Sequence, residues 1–274
     1  MSSDFETSRS ATLSASSRTS STSLRMTDRL FATLDVYHNK TPRSAAMNMA
    51  IDEALLESVA APSIRFYRWY SPALSFGYFG KFSDVEIYKT KRDVVRRWTG
   101  GGIVFHGEDL TYSLVIPASD PNFAKSSMVV YEAIHRALAD ALSEIGKHAI
   151  VAGGSPSCRS SHRRADDPDP PNAAMVARRA GIIDAGYSCF TNPVRADVMI
   201  DGRKVAGAAQ RRTRRGLLHQ GSIQNINLHN ALANRFAHAL SANCSEREIN
   251  EEMLDRAQDL AQRKYGTSAW LRKR

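Results

Sequence analysis

Three things are scarce in this chain of 274 residues. Cysteine is the first. Cys158, Cys189 and Cys244 are odd in number and widely spaced. That spacing argues against a disulfide framework or a metal site and fits a reducing, cytoplasmic compartment. Long apolar runs are the second. None approaches the ~18 residues that cross a bilayer, so no membrane partner is expected. Acid is the third: 28 Asp and Glu stand against 37 Lys and Arg, a net charge of +9. A basic surface attracts nucleic acid, membranes or acidic proteins. No nucleic-acid-binding motif accompanies the charge, so an acidic protein partner is the expectation.

What remains is ample for one globular domain: 42% of residues are hydrophobic, and no internal repeat is visible. Residues 1–27 are rich in Ser and Thr and nearly empty of large apolar side chains, so they read as a disordered tail. Asp4 and Glu6 speak against a transit peptide. The ordered domain then runs over 28–274. An extended segment falls at 30–36. Ser44 caps a helix reaching about Val59, with Met47, Ile51, Leu55 and Val59 on one face. Residues 64–69 alternate and read as a strand, Pro72 breaks it, and 74–78 resume as another. Residues 85–91 read as a short helix. Residues 102–106 and 110–116 read as a hairpin. An amphipathic helix covers 128–146, with Val129, Ala133, Ile134, Leu138 and Leu142 along one side.

Residues 153–172, with four prolines, read as a mobile insertion. Strands at 197–200 and 204–206 flank Asp201-Gly202, a strong hairpin signal. A strand at 217–226 follows. Two helices, 228–242 and 245–265, complete the C-terminal part, the second with a capping box of Ser245 and Glu248. Strand runs with helices between them predict an α+β fold, a mixed or antiparallel sheet flanked by helices.

The chemistry concentrates in Arg96-Arg97-Trp98-Thr99-Gly100-Gly101-Gly102-Ile103-Val104-Phe105-His106, continued by Asp109-Leu110-Thr111-Tyr112-Ser113. Consecutive glycines let backbone approach a ligand with no side chain between, and allow positive φ. The flanking arginines offer fixed charge for a carboxylate or phosphate. Alone, the stretch is equally an ordinary tight turn. Two further blocks stand in order with it: Met47-Asn48-Met49-Ala50-Ile51-Asp52-Glu53-Ala54-Leu55-Leu56, with Trp69 and Ser75-Phe76-Gly77-Tyr78 downstream, and Asp201-Gly202-Arg203-Lys204-Val205-Ala206-Gly207-Ala208-Ala209-Gln210-Arg211-Arg212.

Together these blocks, over about residues 44–225, resemble the biotin/lipoate protein ligase superfamily on its lipoate ligase and octanoyltransferase side. The resemblance implies that family's catalytic-domain fold, and transfer of an octanoyl or lipoyl group to a lysine of a lipoyl carrier domain. It implies that Lys204 contacts the acyl carbonyl, stabilising the oxyanion or helping to deprotonate the attacking amine. A lysine after a tight turn is otherwise a solvated surface residue. Cys189, in Ser188-Cys189-Phe190, matches the context of a thioester-forming cysteine in one transferase branch. A free cysteine is otherwise a small buried hydrophobe, and Cys158 is the rival thiol. The mouth of the acyl slot is expected from Arg97, Gly100, Gly101 and Gly102 with His106 beside it. Ser75, Gly77 and Tyr78 form the neighbouring wall, Gly207 and Ala208 lie against the ligand, and Asp197 orients Lys204. The chain departs from the family pattern at Gly80, where many relatives carry glutamine. It departs again at Gly102, where the transferase branch often has arginine.

The favoured reading is a cysteine-thioester octanoyltransferase with no tightly bound cofactor and no metal. Its donor would be octanoyl-carrier protein and its acceptor a lipoyl domain or glycine-cleavage H-type protein. The alternatives are an ATP- and Mg-dependent lipoate ligase working through lipoyl-adenylate, a biotin ligase, and a non-catalytic acyl- or protein-binding relative.

Overall fold

The computed structural model describes residues 29–39, 41–153, 193–226 and 231–273. The strands in chain order are β1 (Leu34–His38), β2 (Ser63–Tyr67), β3 (Ala73–Phe76), β4 (Asp93–Arg96), β5 (Ile103–His106), β6 (Leu110–Pro117), β7 (Ala149–Val151), β8 (Val198–Ile200), β9 (Arg203–Arg212), β10 (Gly216–Ile223) and β11 (Cys244–Arg247). The helices are α1 (Ala45–Ser58), α2 (Ser127–Glu144), α3 (Leu232–Leu240), α4 (Glu251–Leu260) and the short α5 (Ser268–Leu271). Eight strands form a mixed sheet in the order β11-β1-β2-β6-β10-β9-β8-β7, and β4-β3-β5 form a second sheet. The expected α+β class, a mixed sheet flanked by helices, is the architecture observed.

Strand periodicity explains the layers. In β2, Ile64 and Phe66 join the core that α2 and α3 cover. Tyr67, on the other face, joins the core under α1 and α4. Leu114 and Ile116 of β6 and Leu217 of β10 face the first core; Val115 and Leu218 face the second. The large sheet is therefore buried on both faces and reads as nearly continuous apolar strand.

Ser44 caps α1 as expected, its hydroxyl accepting the Met47 amide at 3.3 Å. The expected single face of α1 is too narrow: Asn48, Met49, Ala50, Asp52, Glu53 and Leu56 are buried as well as Ile51 and Leu55. The helix touches both sheets and α4. In α2, Val129 is exposed, while Val130, Ile134, Leu138 and Leu142 carry the buried stripe. Asp201 and Gly202 both have positive φ, as the tight Asp-Gly hairpin between β8 and β9 requires. In place of the expected helix at 85–91 there are two single 3₁₀ turns, Phe82–Asp84 and Glu86–Tyr88, and then β4, which the sequence reading did not foresee.

Two further sequence expectations are corrected. Residues 102–116 do not form a hairpin. β5 pairs with β3 in the small sheet, and β6 pairs with β2 and β10 in the large one. Residues 107–109 carry the chain between sheets, and Asp109 is drawn inward by four hydrogen bonds. Nor are the C-terminal residues purely helical. Ser245 belongs to β11, which pairs in parallel with β1. The cap of α4 is Asn250, whose side chain accepts the Met253 amide at 2.9 Å. A local capping signal yields here to strand pairing with a distant segment. The tail 1–27 and nearly all of the insertion 153–172 lie outside the described residues. Among the described residues, no helix is long and apolar enough to cross a membrane.

Between α2 and the large sheet sit two fully buried histidines, His135 and His219, their ring centroids 5.6 Å apart. Burial lowers the pKa of His135 to about 4. Burial, then the neighbouring His135, lowers that of His219 well below the usual value. Both are neutral in the folded state and protonate on unfolding below about 6.5. The unfolded state therefore binds more protons in the window from about 6.5 down to about 4, and stability is lost as pH falls through it. For His135 alone the full window is worth roughly 3 kcal/mol. The denaturation midpoint is expected to drop steeply between about pH 6.5 and about pH 4.5, and less steeply in His135→Gln. A midpoint flat across that interval would show that these histidines are not held neutral.

Candidate active site

The site is a cavity of about 360 Å³ whose described lining includes Met49, Tyr67, Trp69, Val104 and Val194. Its polar lining is Ser75, Arg97, His106, Thr111, Asp197, Lys204, Gln220 and Ser222, with backbone from Gly101, Gly102, Gly207, Ala208, Ala209 and Gly221. An apolar slot edged by a few convergent polar groups suits a chain-like ligand with one polar end.

Lys204 stands just after the β8–β9 turn with 5% of its side chain exposed, and its Nζ lies 2.7 Å from Asp197 Oδ2. Asp197 is fully buried; its Oδ2 also accepts the Val194 amide at 2.8 Å, and its Oδ1 accepts the Tyr131 hydroxyl at 2.8 Å. A buried pair persists only when its remaining hydrogen-bonding capacity is met in this way. Gly207 is part of the same arrangement. A Cβ there would lie 2.5 Å from Lys204 Cε and 2.7 Å from its Nζ. Glycine at 207 leaves room for the lysine to lie across the strand toward its carboxylate.

The glycine loop is built from below. Arg97 is 6% exposed. Its Nη1 donates to Ser75 Oγ at 2.7 Å, and its Nη2 donates to the carbonyls of Gly100 and Gly102 at 3.0 and 2.9 Å. Gly101 has φ of 84°, a conformation open to glycine. Gly77 lies directly underneath: a Cβ there would stand 2.0 Å from the Gly101 carbonyl oxygen. Ser75 Oγ lies 2.7 Å from His106 Nε2, and His106 Nδ1 lies 2.8 Å from Asp109 Oδ2. Burial lowers the pKa of His106 despite the nearby carboxylate. Burial alone would raise that of Asp109, but hydrogen bonds from His106, Gly107 and Ser222 bring it down to about 2. The imidazole is therefore neutral, donating a hydrogen bond from Nδ1–H to Asp109 and accepting one from the Ser75 hydroxyl at Nε2. Trp69 stacks on the ring at 4.0 Å and donates to Thr111.

The sequence profile described as the lipoyl protein ligase A/B catalytic domain matches residues 44–262. This chain belongs to that family. Octanoyltransferase LipM of Bacillus cereus is 34% identical over 195 residues, covering 68% of this chain and 64% of that protein. Octanoyltransferase LipM of Geobacillus kaustophilus is 34% identical over 186 residues, 65% of this chain and 60% of that protein. The chain thus spans less than two thirds of the length of these curated relatives. Among solved structures, Ta0514 of T. acidophilum, a putative lipoate protein ligase, superposes with a TM-score of 0.62 at 22% identity. A lipoate-protein ligase A bound with ATP superposes with 0.63 at 19%. Each covers 88% of this chain and 98% of its own. At such identity the likeness is one of fold.

Within the family frame, the cavity brings together nine of the residues expected from sequence: Ser75, Arg97, Gly101, Gly102, His106, Asp197, Lys204, Gly207 and Ala208. Gly77 supports the loop from beneath and Gly100 supplies a carbonyl to Arg97. Tyr78 sits outside the cavity wall, its ring under Arg211 and Lys273. Cys189 and Cys158 lie outside the described residues. Arg96 is not the ligand-facing cation that its place beside the glycines suggests. It is 1% exposed and donates to the carbonyls of Tyr78, Gly80, Trp270 and Leu271. Sequence reasoning missed Tyr131 and Gln220, and gave Asp109 no role beyond a turn. A carboxylate three residues after His106 was the available signal for Asp109.

Gly207→Ala separates the site from the fold. The added methyl meets the far end of Lys204 and comes within 3.1 Å of Asp197 Oδ1 but touches no backbone, so the protein is expected to fold with a melting temperature lowered modestly by the disturbed pair. Lys204 Nζ must move, and a displacement of about 1 Å can cost a hundredfold in rate. Full activity in a soluble Gly207→Ala protein would show that the lysine's position is immaterial.

Proposed function

We propose that this protein is an octanoyltransferase. It would move an octanoyl group from a carrier thioester to a specific lysine of a lipoyl carrier domain, through a thioester on Cys189. The observation that carries the reading is the buried Lys204–Asp197 pair in the wall of an apolar cavity edged by glycine backbone. The names of the LipM relatives favour octanoyl transfer over ATP-dependent ligation. The role given to Cys189 rests on its Ser-Cys-Phe context ahead of the lysine block. Residues 28–274 would act as one catalytic unit.

In the proposed reaction the Cys189 thiolate attacks the donor thioester carbonyl. A C–S bond to Cys189 forms, the C–S bond to the carrier breaks, and the carrier thiolate leaves and takes a proton. The acceptor lysine, as free amine, then attacks the enzyme thioester. A C–N bond forms, the C–S bond to Cys189 breaks, and the amine's proton restores the thiol. Each addition puts negative charge on the former carbonyl oxygen, and the Lys204 ammonium stabilises it. Thioester exchange is close to energy-neutral, so this route needs no ATP; ATP and Mg belong to the ligase alternative. The donor would be an acyl carrier protein and the acceptor a lipoyl domain or H-type protein, acidic partners for a chain of charge +9.

Intact mass spectrometry tests the reading. Octanoyl-carrier protein alone should leave an octanoyl adduct that hydroxylamine removes. Cys189→Ser should lack the adduct, while Cys158→Ser and Cys244→Ser keep it. Lys204→Ala should slow transfer by a factor on the order of a hundred. An absolute need for ATP, with Cys189→Ser near the normal rate, would establish the ligase instead.

A further inference from the structure

The Lys204–Asp197 pair is held from a third side by α2. β8 has three residues and β9 ten. Their pairing ends with Val198 opposite Ala206, so β9 continues past the end of its neighbour toward Ala208, which lines the cavity. The Ala208 amide donates instead to the Tyr131 hydroxyl at 3.0 Å, and that hydroxyl donates to Asp197 Oδ1 at 2.8 Å. One side chain thus meets a strand amide beyond the end of β8 and fixes a buried carboxylate. Four residues along α2, His135 Nδ1 donates to the carbonyl of Ala196 at 2.5 Å. Ala196 has φ of 69°, a left-handed conformation that costs a non-glycine residue energy and needs such support. Burial, then the Asp197 charge, raises the pKa of Tyr131, so the phenol stays a donor.

We propose that Tyr131 is a positioning residue for acyl transfer. Through Asp197 Oδ1 and the Ala208 amide, its hydroxyl sets where the Lys204 ammonium stands in the cavity wall, and His135 holds the strained turn that presents Asp197. This rests on the reading of Lys204 as the cation that meets the developing oxyanion. A group two hydrogen bonds removed from Lys204 acts through geometry, and loss of the analogous outer partners of metal ligands typically costs ten- to a hundredfold.

The test is a double-mutant cycle in the full chain: Tyr131→Phe, Asp197→Asn and the pair, with Lys204→Ala alongside. kcat and KM are measured with octanoyl-carrier protein and a lipoyl domain, and melting temperature is followed for each variant. Tyr131→Phe keeps the ring and its packing on His135. It is expected to lower kcat about tenfold with KM for the donor unchanged, and to cost less than about twofold more in the Asp197→Asn background. An equal loss in both backgrounds, or a loss confined to KM, would overturn the proposal. Should Asp197→Asn fail to fold, a folded Tyr131→Phe with wild-type kcat overturns it alone. If Lys204→Ala itself keeps the wild-type rate, it is the reading of Lys204 that fails. If Lys204→Ala is inactive and Tyr131→Phe is silent, only the role of Tyr131 falls.

Discussion

The rest of the structure depends on an ion pair with no access to water. Arg65 Nη1 and Asp52 Oδ1 are 2.7 Å apart, and both side chains are fully buried. Removing two charges from water costs several kcal/mol each unless every lone pair and proton is met. Here they are. Asp52 also accepts Ser113, Tyr67 and Gln220; Arg65 also donates to the Asn48 side chain, the Asn48 carbonyl and Asn39. These contacts tie α1, β2, β6 and β10 at one point. Leaving either charge alone in that position would be far worse than never having it there, so the elements have one register that satisfies the pair.

From this point the order extends to the glycine loop through a single strand. Gln220 and Ser222 of β10 share one face because strand side chains alternate. Gln220 donates to Asp52 and accepts the Thr99 hydroxyl at 2.8 Å, just ahead of the glycines. Ser222 donates to Asp109, which holds His106 and, through Ser75, the guanidinium of Arg97. Gly221 between them leaves room for the Tyr112 ring, which a Cβ would approach to 2.3 Å. The loop is therefore rigid although it carries no side chains of its own. Its carbonyls are gripped by Arg97 from within, and its approach is anchored to the core through Thr99.

Much of this could be read from the sequence, and the division follows physical range. Ser44 before an apolar helix and Asp201-Gly202 between alternating residues are local signals, and the structure keeps both. The glycine run and the lysine block marked the cavity because a backbone-lined wall leaves a compositional trace. What was not legible depends on partners distant in sequence. Ser245 and Glu248 look like a helix cap, yet residues 244–247 pair with 34–37. His106 and Leu110 look like the two arms of a hairpin, yet belong to different sheets. Arg96 and Arg97 look alike; one closes the C-terminal segment against the loop, and the other reaches the cavity. Tyr131 sits 66 residues before Asp197 on an amphipathic helix, where a tyrosine reads as packing.

Among the described residues, the charges of the cavity wall follow one rule, and it bears on the proposed chemistry. Lys204 is matched by Asp197, and the Arg97 cation is linked to the Asp109 carboxylate through a neutral serine and a neutral imidazole. A wall compensated in this way attracts a free carboxylate less than a bare ammonium would, since the resident anion opposes the incoming one. It does not penalise a thioester, which arrives uncharged. Only when a nucleophile adds does negative charge grow on the carbonyl oxygen, and an ammonium already held in place then interacts with it at no cost of reorganisation. Stabilisation that appears with the transition state and not before is the kind that raises turnover rather than merely tightening binding. The buried pair thus suits an acyl group delivered as a neutral thioester better than one delivered as a free acid, and on this argument the tightness of the Lys204–Asp197 contact is a reason for the transferase reading.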